Sequence, residues 1–244
     1  FDPTFRKKSK KQEDALRIEK EILTFSKAVT TVTRKAKDNF ASRVPGKKVY
    51  YLPNGFDPED FRELDTGNVK RKPDRKLVIT YCGRFTPKSS PDAFFKALDL
   101  LVQSGMTLKN KVHIRVIGNP GNSRWLEPYP YLQPLITILP YLPHKECLQE
   151  MADADVLLLL ATNTRESEVF TGKVFEYFYF RKPIFASLVY PGELSDMLKA
   201  YGNAYIAIEK RDGHVESVLK EMLRNADQHS LQLKDADTTF IGKF

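Results

Sequence analysis

The chain has 244 residues, 41% of them hydrophobic, enough to bury a sizeable core, so disorder is not the default reading. The formal charge of +8 belongs entirely to the first third: residues 1–76 hold 20 Lys and Arg against 12 Asp and Glu, while residues 77–244 hold 19 of each. The longest apolar run, Val156 to Ala161, falls far short of the roughly 20 residues of a membrane-crossing helix, and Cys82 and Cys147 have neither disulfide-framework nor zinc spacing and read as buried small side chains.

The first 65 residues read as a charged helix (Lys11 to Phe25), a β-branched run (Ala28 to Thr33), a helix (Lys35 to Arg43) and a strand (Lys48 to Leu52). One or two βα units are too little for a sheet of their own. Residues 1–65 are therefore expected to be the edge of a second domain, residues 66–76 a linker, and residues 77–244 the main domain. The linker has turn formers and charge, as in "VKRKPDRK", but no apolar periodicity.

From residue 77 short apolar runs alternate with amphipathic stretches, the pattern of parallel strands joined by helical crossovers. Strands are expected at Leu77 to Cys82, Val112 to Ile117, Leu135 to Leu139, Asp155 to Leu160, Pro183 to Leu188 and Ala204 to Ile208. Helices are expected at Pro91 to Gln103, His144 to Asp153, Gly172 to Phe180, Glu193 to Tyr201 and Val215 to Ala226. Runs such as "VLLLL" suit strands covered on both faces. The fold class is α/β, a doubly wound, Rossmann-like parallel sheet, whose ligands bind at the carboxyl ends of the strands near the switch point.

Three loops at those ends carry candidate chemistry. After the first strand, "YCGRFTPKSSPDAFF" offers Gly83 for a sharp turn and the cations Arg84 and Lys88, a set that suits a diphosphate beside a helix entry at Ser89 to Asp92. After the second, "VIGNPGNSRW" supplies Gly118 and Asn119, small enough for close approach of a ligand; no G-x-G-x-x-G occurs anywhere. The third, "ESEVFTGKVFEYFYF", is the richest. Thr171 and Gly172 put free N–H groups at a helix start, where an anion is favoured. Glu176, about one turn further, points toward the same mouth, and Glu168 precedes it on the loop. An anion between two hydroxyl-rich units describes a nucleotide sugar. Equally open from composition alone is a surface pair of Glu176 with Lys173, with Glu168 in solvent. The aromatic run Phe175 to Phe180 reads as core and interdomain packing, in which the Tyr hydroxyls can remain wet while the rings are buried, and His113, His144, His214 and His229 have no metal or triad spacing.

"ESEVFTGKVFEYFYFRKPIFAS" resembles the E-x7-E signature of retaining GT-B glycosyltransferases of the family 4 type, in a bacterial "TGK-FEY-KPI" form. In the same order, "KVYYLPNGFDPEDF" is similar to that family's domain junction, "ITYCGRFTPKSSPDAFFKAL" to its first donor-domain strand and loop, and "LPHKECLQEMADADVLLLL" to the segment before the signature. The resemblance implies a donor-binding domain plus the end of an acceptor-side domain, the rest of which is expected to be missing. It implies that Glu176 holds the ribose, Glu168 the sugar hydroxyls, and the backbone of Thr171, Gly172 and Lys173 the diphosphate. Tyr141 and Leu142 would face the base, Gly83, Gly118 and Asn119 would lie near the donor, and Arg84 would stabilise the departing diphosphate. The family carries Lys five residues after this Arg, where this chain has Ser89, so Lys88 is the expected substitute.

The function expected is transfer of a sugar, with retention, from a nucleoside-diphosphate sugar to a carbohydrate or lipid-linked acceptor, as in polysaccharide or cell-envelope synthesis. No metal or other cofactor is expected. The fragment is expected to turn over poorly alone, in the cytoplasm or peripherally at the inner membrane face. A GT-B epimerase and a non-catalytic nucleotide-sugar-binding module are the alternatives. Nucleic acid is not an expected partner, because no aromatic-interleaved basic motif accompanies the basic first third.

Overall fold

A computed structural model of the chain describes residues 10–64, 75–87, 89–118, 123–161, 171–233 and 237–244. Its centre is a six-stranded, fully parallel sheet in the order β5-β4-β3-β6-β7-β8. The strands are β3 (Leu77–Cys82), β4 (Val112–Ile117), β5 (Ile136–Leu139), β6 (Val156–Ala161), β7 (Ile184–Leu188) and β8 (Ala204–Ile208). Every residue of β3, β6 and β7 is buried, as the uninterrupted apolar runs require, while the edge strands β5 and β8 are only partly covered.

Alternation along β3 divides the core in two. Leu77, Ile79 and Tyr81 face one side, where they pack with Phe94, Phe95 and Leu98 of α3 (Asp92–Gln103) and Leu219 and Met222 of α7 (His214–Asp227). Cys82 faces the other, which is covered by α4 (His144–Ala152), α5 (Lys173–Phe180) and α6 (Glu193–Tyr201). Each fully buried Leu or Phe in these layers contributes about 1.5–3 kcal/mol of transfer free energy. Helix α5 buries Val174, Phe175, Tyr177 and Phe178, more than one stripe, because it lies between the sheet and the chain's final residues. There α8 (Thr238–Ile241), too short to be read from periodicity, sets Phe240 and Phe244 against the Phe178 ring at centroid distances of 5.4 and 5.9 Å.

The amino-terminal part contains α1 (Lys10–Phe25), β1 (Val29–Thr31), α2 (Arg34–Arg43) and β2 (Val49–Tyr51), with β1 and β2 forming a two-stranded parallel sheet. Thr33 starts α2 by accepting the Ala36 N–H at 3.1 Å. Among the described residues this part touches the larger sheet unit at several places, through Arg34 and through the segment that follows β2. The Arg34 N–H donates to both Glu193 carboxylate oxygens at 3.1 and 2.8 Å, at the head of α6. Downstream of β2, Phe61 is buried and stacks on Tyr179 of α5 with ring centroids 3.8 Å apart.

The element boundaries shift where local chemistry decides them. The stretch Pro130–Leu135 is a 3-10 helix, so β5 begins at Ile136 rather than at Leu135. Pro91 is the cap of α3 and not its first residue, and Ser90 accepts the Asp92 N–H at 3.2 Å. No helix among the described residues is long and apolar enough to cross a membrane.

Candidate functional site

The strand order reverses between β3 and β6, so the crevice above their carboxyl ends is where a doubly wound sheet accepts a ligand. Three strand ends are stitched side by side there. The Gly83 N–H donates to the Ile117 carbonyl at 2.7 Å, and the Gly118 N–H donates to the Pro140 carbonyl at 3.2 Å. Gly83 has φ 141° and Gly118 φ 85°, both in the region that favours glycine. A Cβ on Gly118 would lie 3.7 Å from the Gly83 Cα and N, so the two glycine turns adjoin at the crevice, and the Lys173 side chain lies over Gly83. Next along the rim come Tyr141, exposed, and Leu142, whose carbonyl accepts the Cys147 thiol at 3.6 Å.

Arg84 follows Gly83 and is exposed; it forms no ion pair among the described residues. Its carbonyl accepts the Tyr81 hydroxyl at 3.2 Å and the Ser89 hydroxyl at 3.0 Å. Ser89 thus folds back on its own loop, with its Oγ also 2.9 Å from that of Thr86.

The start of α5 forms the opposite lip. Gly172 caps the helix without a side-chain hydrogen bond, and the N–H groups of Val174 and Phe175 turn onto the carbonyls of Thr171 and Gly172 at 3.2 and 3.1 Å. The backbone an anion would meet there is consequently that of Gly172 and Lys173. Glu176 sits one turn inside, and its Oε1 lies 3.0 Å from Nε2 of His144, the first residue of α4. The pairing open in the sequence, Glu176 with Lys173, is not the one formed: His144 takes the carboxylate, and the Lys173 side chain goes elsewhere. Its Nζ lies 4.7 Å from the centroid of the Tyr81 ring and 3.4 Å from the Tyr81 hydroxyl.

Of the expected site residues, Gly83, Arg84, Gly118, Tyr141, Leu142, Thr171, Gly172, Lys173 and Glu176 all lie at this carboxyl end of the sheet. Lys88, Asn119 and Glu168 lie outside the described residues. Sequence reasoning passed over Tyr81 and His144. The first looks like one more core aromatic of β3; the second has no metal or triad spacing, although its place five residues beyond β5 puts it at the carboxyl end of the sheet. Two smaller expectations are corrected. Tyr177 is fully buried and its hydroxyl donates to the Leu158 carbonyl at 3.1 Å, so it is not wet; burial holds its pKa well above the ordinary tyrosine range. Cys147 is only half-buried, and hydrogen bonding with the Cys82 thiol, helped by nearby His144, brings its pKa down to about 7, while the same bond and burial push Cys82 up.

The family model for glycosyl transferases group 1 matches residues 65–237, more than two thirds of the chain. A curated relative, D-inositol 3-phosphate glycosyltransferase from Stackebrandtia nassauensis, is 30% identical over 118 residues, covering 44% of this chain and 27% of that protein. Among solved structures, sucrose-phosphate synthase from Thermosynechococcus elongatus superposes with a TM-score of 0.69 at 14% identity, covering 95% of this chain and 56% of that one. TarM from S. aureus, solved as a variant in complex with fondaparinux, alpha-GlcNAc-glycerol and UDP, superposes with a TM-score of 0.62 at 14% identity, covering 100% and 47%. At those identities the two structures establish the shared fold. The chain spans about half the length of either solved chain, and less of the curated relative.

Proposed function

The chain belongs to the glycosyl transferases group 1 family, and from that premise we propose that it supplies the donor-binding half of a retaining glycosyltransferase acting on a nucleoside-diphosphate sugar. The observation that carries this reading is the convergence at one crevice of the adjoining glycine turns at Gly83 and Gly118, the open start of α5, and Glu176 one turn inside it. The fold is shared with a protein whose structure holds UDP.

In this reading the diphosphate lies between Arg84 and the N–H groups of Gly172 and Lys173, and the ribose hydroxyls donate to Glu176. The base lies along the Tyr141 and Leu142 rim. Glu168 and Asn119 are assigned to the sugar end on the resemblance of their motifs. Breaking the glycosidic bond leaves charge on the diphosphate, and fixed cations and N–H dipoles aimed at that charge accelerate departure; losing one such donor costs about a hundred- to a thousandfold in rate. This account uses protein cations and no metal. Acceptor recognition, by a carbohydrate or lipid-linked group, is assigned to the rest of the two-domain protein. A lipid-linked acceptor would bring it to the cytoplasmic membrane face, where the basic first third would meet anionic lipid.

The test is calorimetric titration of the 244-residue chain with UDP, GDP, ADP and dTDP and their sugars. One nucleoside diphosphate is expected to bind below millimolar Kd. Glu176→Ala is expected to weaken it about 10- to 150-fold, the value of a hydrogen bond to a charged group. No binding at millimolar concentration ends the donor-domain reading. Binding that survives both Glu176→Ala and Arg84→Ala ends the site assignment.

A further inference from the structure

We infer that the ammonium of Lys173 is the second cation of the diphosphate site, carried across the carboxyl end of β3 over the uncovered backbone of Gly83 and aligned there by Tyr81. This deepens the nucleotide-sugar reading above and rests on it.

The geometry is unusual for a lysine at the first position of a helix. Helix α5 covers the sheet face toward which Cys82 points, whereas the Tyr81 ring belongs to the opposite face, stacked on Phe85 at 5.1 Å. Yet the Lys173 Nζ lies 4.7 Å from the Tyr81 ring centroid and donates to its hydroxyl at 3.4 Å. The side chain therefore arches over the end of the strand. It can do so only because position 83 has no side chain: a Cβ there would overlap Nζ and lie 2.7 Å from Cε.

Electrostatics make this an incomplete site without an anion. The start of a helix carries partial positive charge and disfavours a cation by tenths of a kcal/mol to about 1 kcal/mol. Among the described residues Lys173 makes no ion pair, and what it has instead is an aromatic face, worth about 0.5–1 kcal/mol. The Tyr81 hydroxyl that accepts from Nζ donates in turn to the Arg84 carbonyl at 3.2 Å, so one tyrosine contacts both cation-bearing residues. A diphosphate carries more charge than Arg84 alone balances, and Ser89 of the same loop is turned onto the Arg84 carbonyl. Spacing along α5 agrees: Lys173 and Glu176 are three residues apart, about 4.5 Å of helix rise, which matches a phosphate next to a ribose.

The experiment compares Kd values of the 244-residue chain for UDP, GDP, ADP and dTDP with those for the matching monophosphates. Lys173→Met keeps the apolar stem, and Lys173→Gln keeps a donor for the Tyr81 hydroxyl without the charge. Both are expected to weaken the bound diphosphate about tenfold or more while changing the monophosphate by less than about threefold, so that the preference for the diphosphate collapses. A lysine with a purely structural role would instead be rescued by Gln, and the preference would stand. Diphosphate binding within about twofold of the wild type in both variants overturns the inference while leaving the donor-domain reading intact. If no nucleotide binds the wild-type chain at millimolar concentration, that reading falls and the inference with it.

Discussion

Gly83→Ala separates backbone from side-chain effects at the centre of the site. Gly83 sits at φ 141°, a conformation that an L side chain occupies at a cost of about 1–3 kcal/mol. The added methyl also overlaps the Lys173 ammonium, but that is the free end of a flexible side chain, and its eviction loses little beyond the contact with the Tyr81 ring, about 0.5–1 kcal/mol. The backbone term should therefore dominate. In a chain of this size, a loss of about 1–3 kcal/mol lowers Tm by roughly 2–12 °C. Urea and thermal unfolding of Gly83→Ala, Lys173→Met and the double variant test the division. Lys173→Met alone is expected to cost under about 1 kcal/mol, and the two changes are expected to be non-additive by only the lost ring contact, about 0.5–1 kcal/mol. An unchanged midpoint in Gly83→Ala would refute the claim that this position requires glycine. A cost that disappears wholly in the Lys173→Met background would show that overlap with the ammonium, and not φ, is what glycine avoids.

Phe178→Ala empties a fully buried site ringed by Phe175, Tyr201, Phe240 and Phe244, and should cost about 3–5 kcal/mol in denaturant unfolding; under 1 kcal/mol would mean that α8 does not pack on α5 as described. His144→Ala frees Glu176 from the bond that orients its Oε1, and the nucleoside diphosphate should bind about 2- to 12-fold more weakly, corresponding to one hydrogen bond of about 0.5–1.5 kcal/mol; tighter binding would show that His144 competes with the ligand instead of positioning the carboxylate. Cys147 should be alkylated by iodoacetamide well before Cys82, with a rate profile that has its midpoint near pH 7, because only Cys147 is both partly exposed and shifted toward the thiolate; mass spectrometry finding Cys82 labelled first would contradict this.

The sheet was legible in the sequence because parallel strands covered on both faces leave a signal that needs no partner to interpret. The run "VLLLL" has no polar position to place in water, and β6 is buried throughout. The helices between strands were legible to within a residue or two for the same local reason. What escaped are pieces whose shape depends on distant contacts. Residues 238–241 form a helix that is too short to hold itself, and it exists where Phe240 and Phe244 find Phe178. Tyr177 looked like a residue with a wet hydroxyl, since nothing local shows that the Leu158 carbonyl of β6 awaits it.

The same distinction decides how much of the site could be read. Glu176 lies one turn from Gly172 by helical geometry alone, so its place at the mouth follows from spacing. Which group it pairs with does not, because a carboxylate between a lysine three residues away and a histidine on another helix chooses by where α4 and α5 pack. The choice of His144 releases Lys173, and Lys173 then has one direction with a ring to rest on and no Cβ in the way: over Gly83 to Tyr81. A glycine after the first strand thus has a second use beside its turn. It leaves room for a side chain from the far lip, and this explains physically how two lips of one crevice could share a single anion although their residues are far apart in sequence.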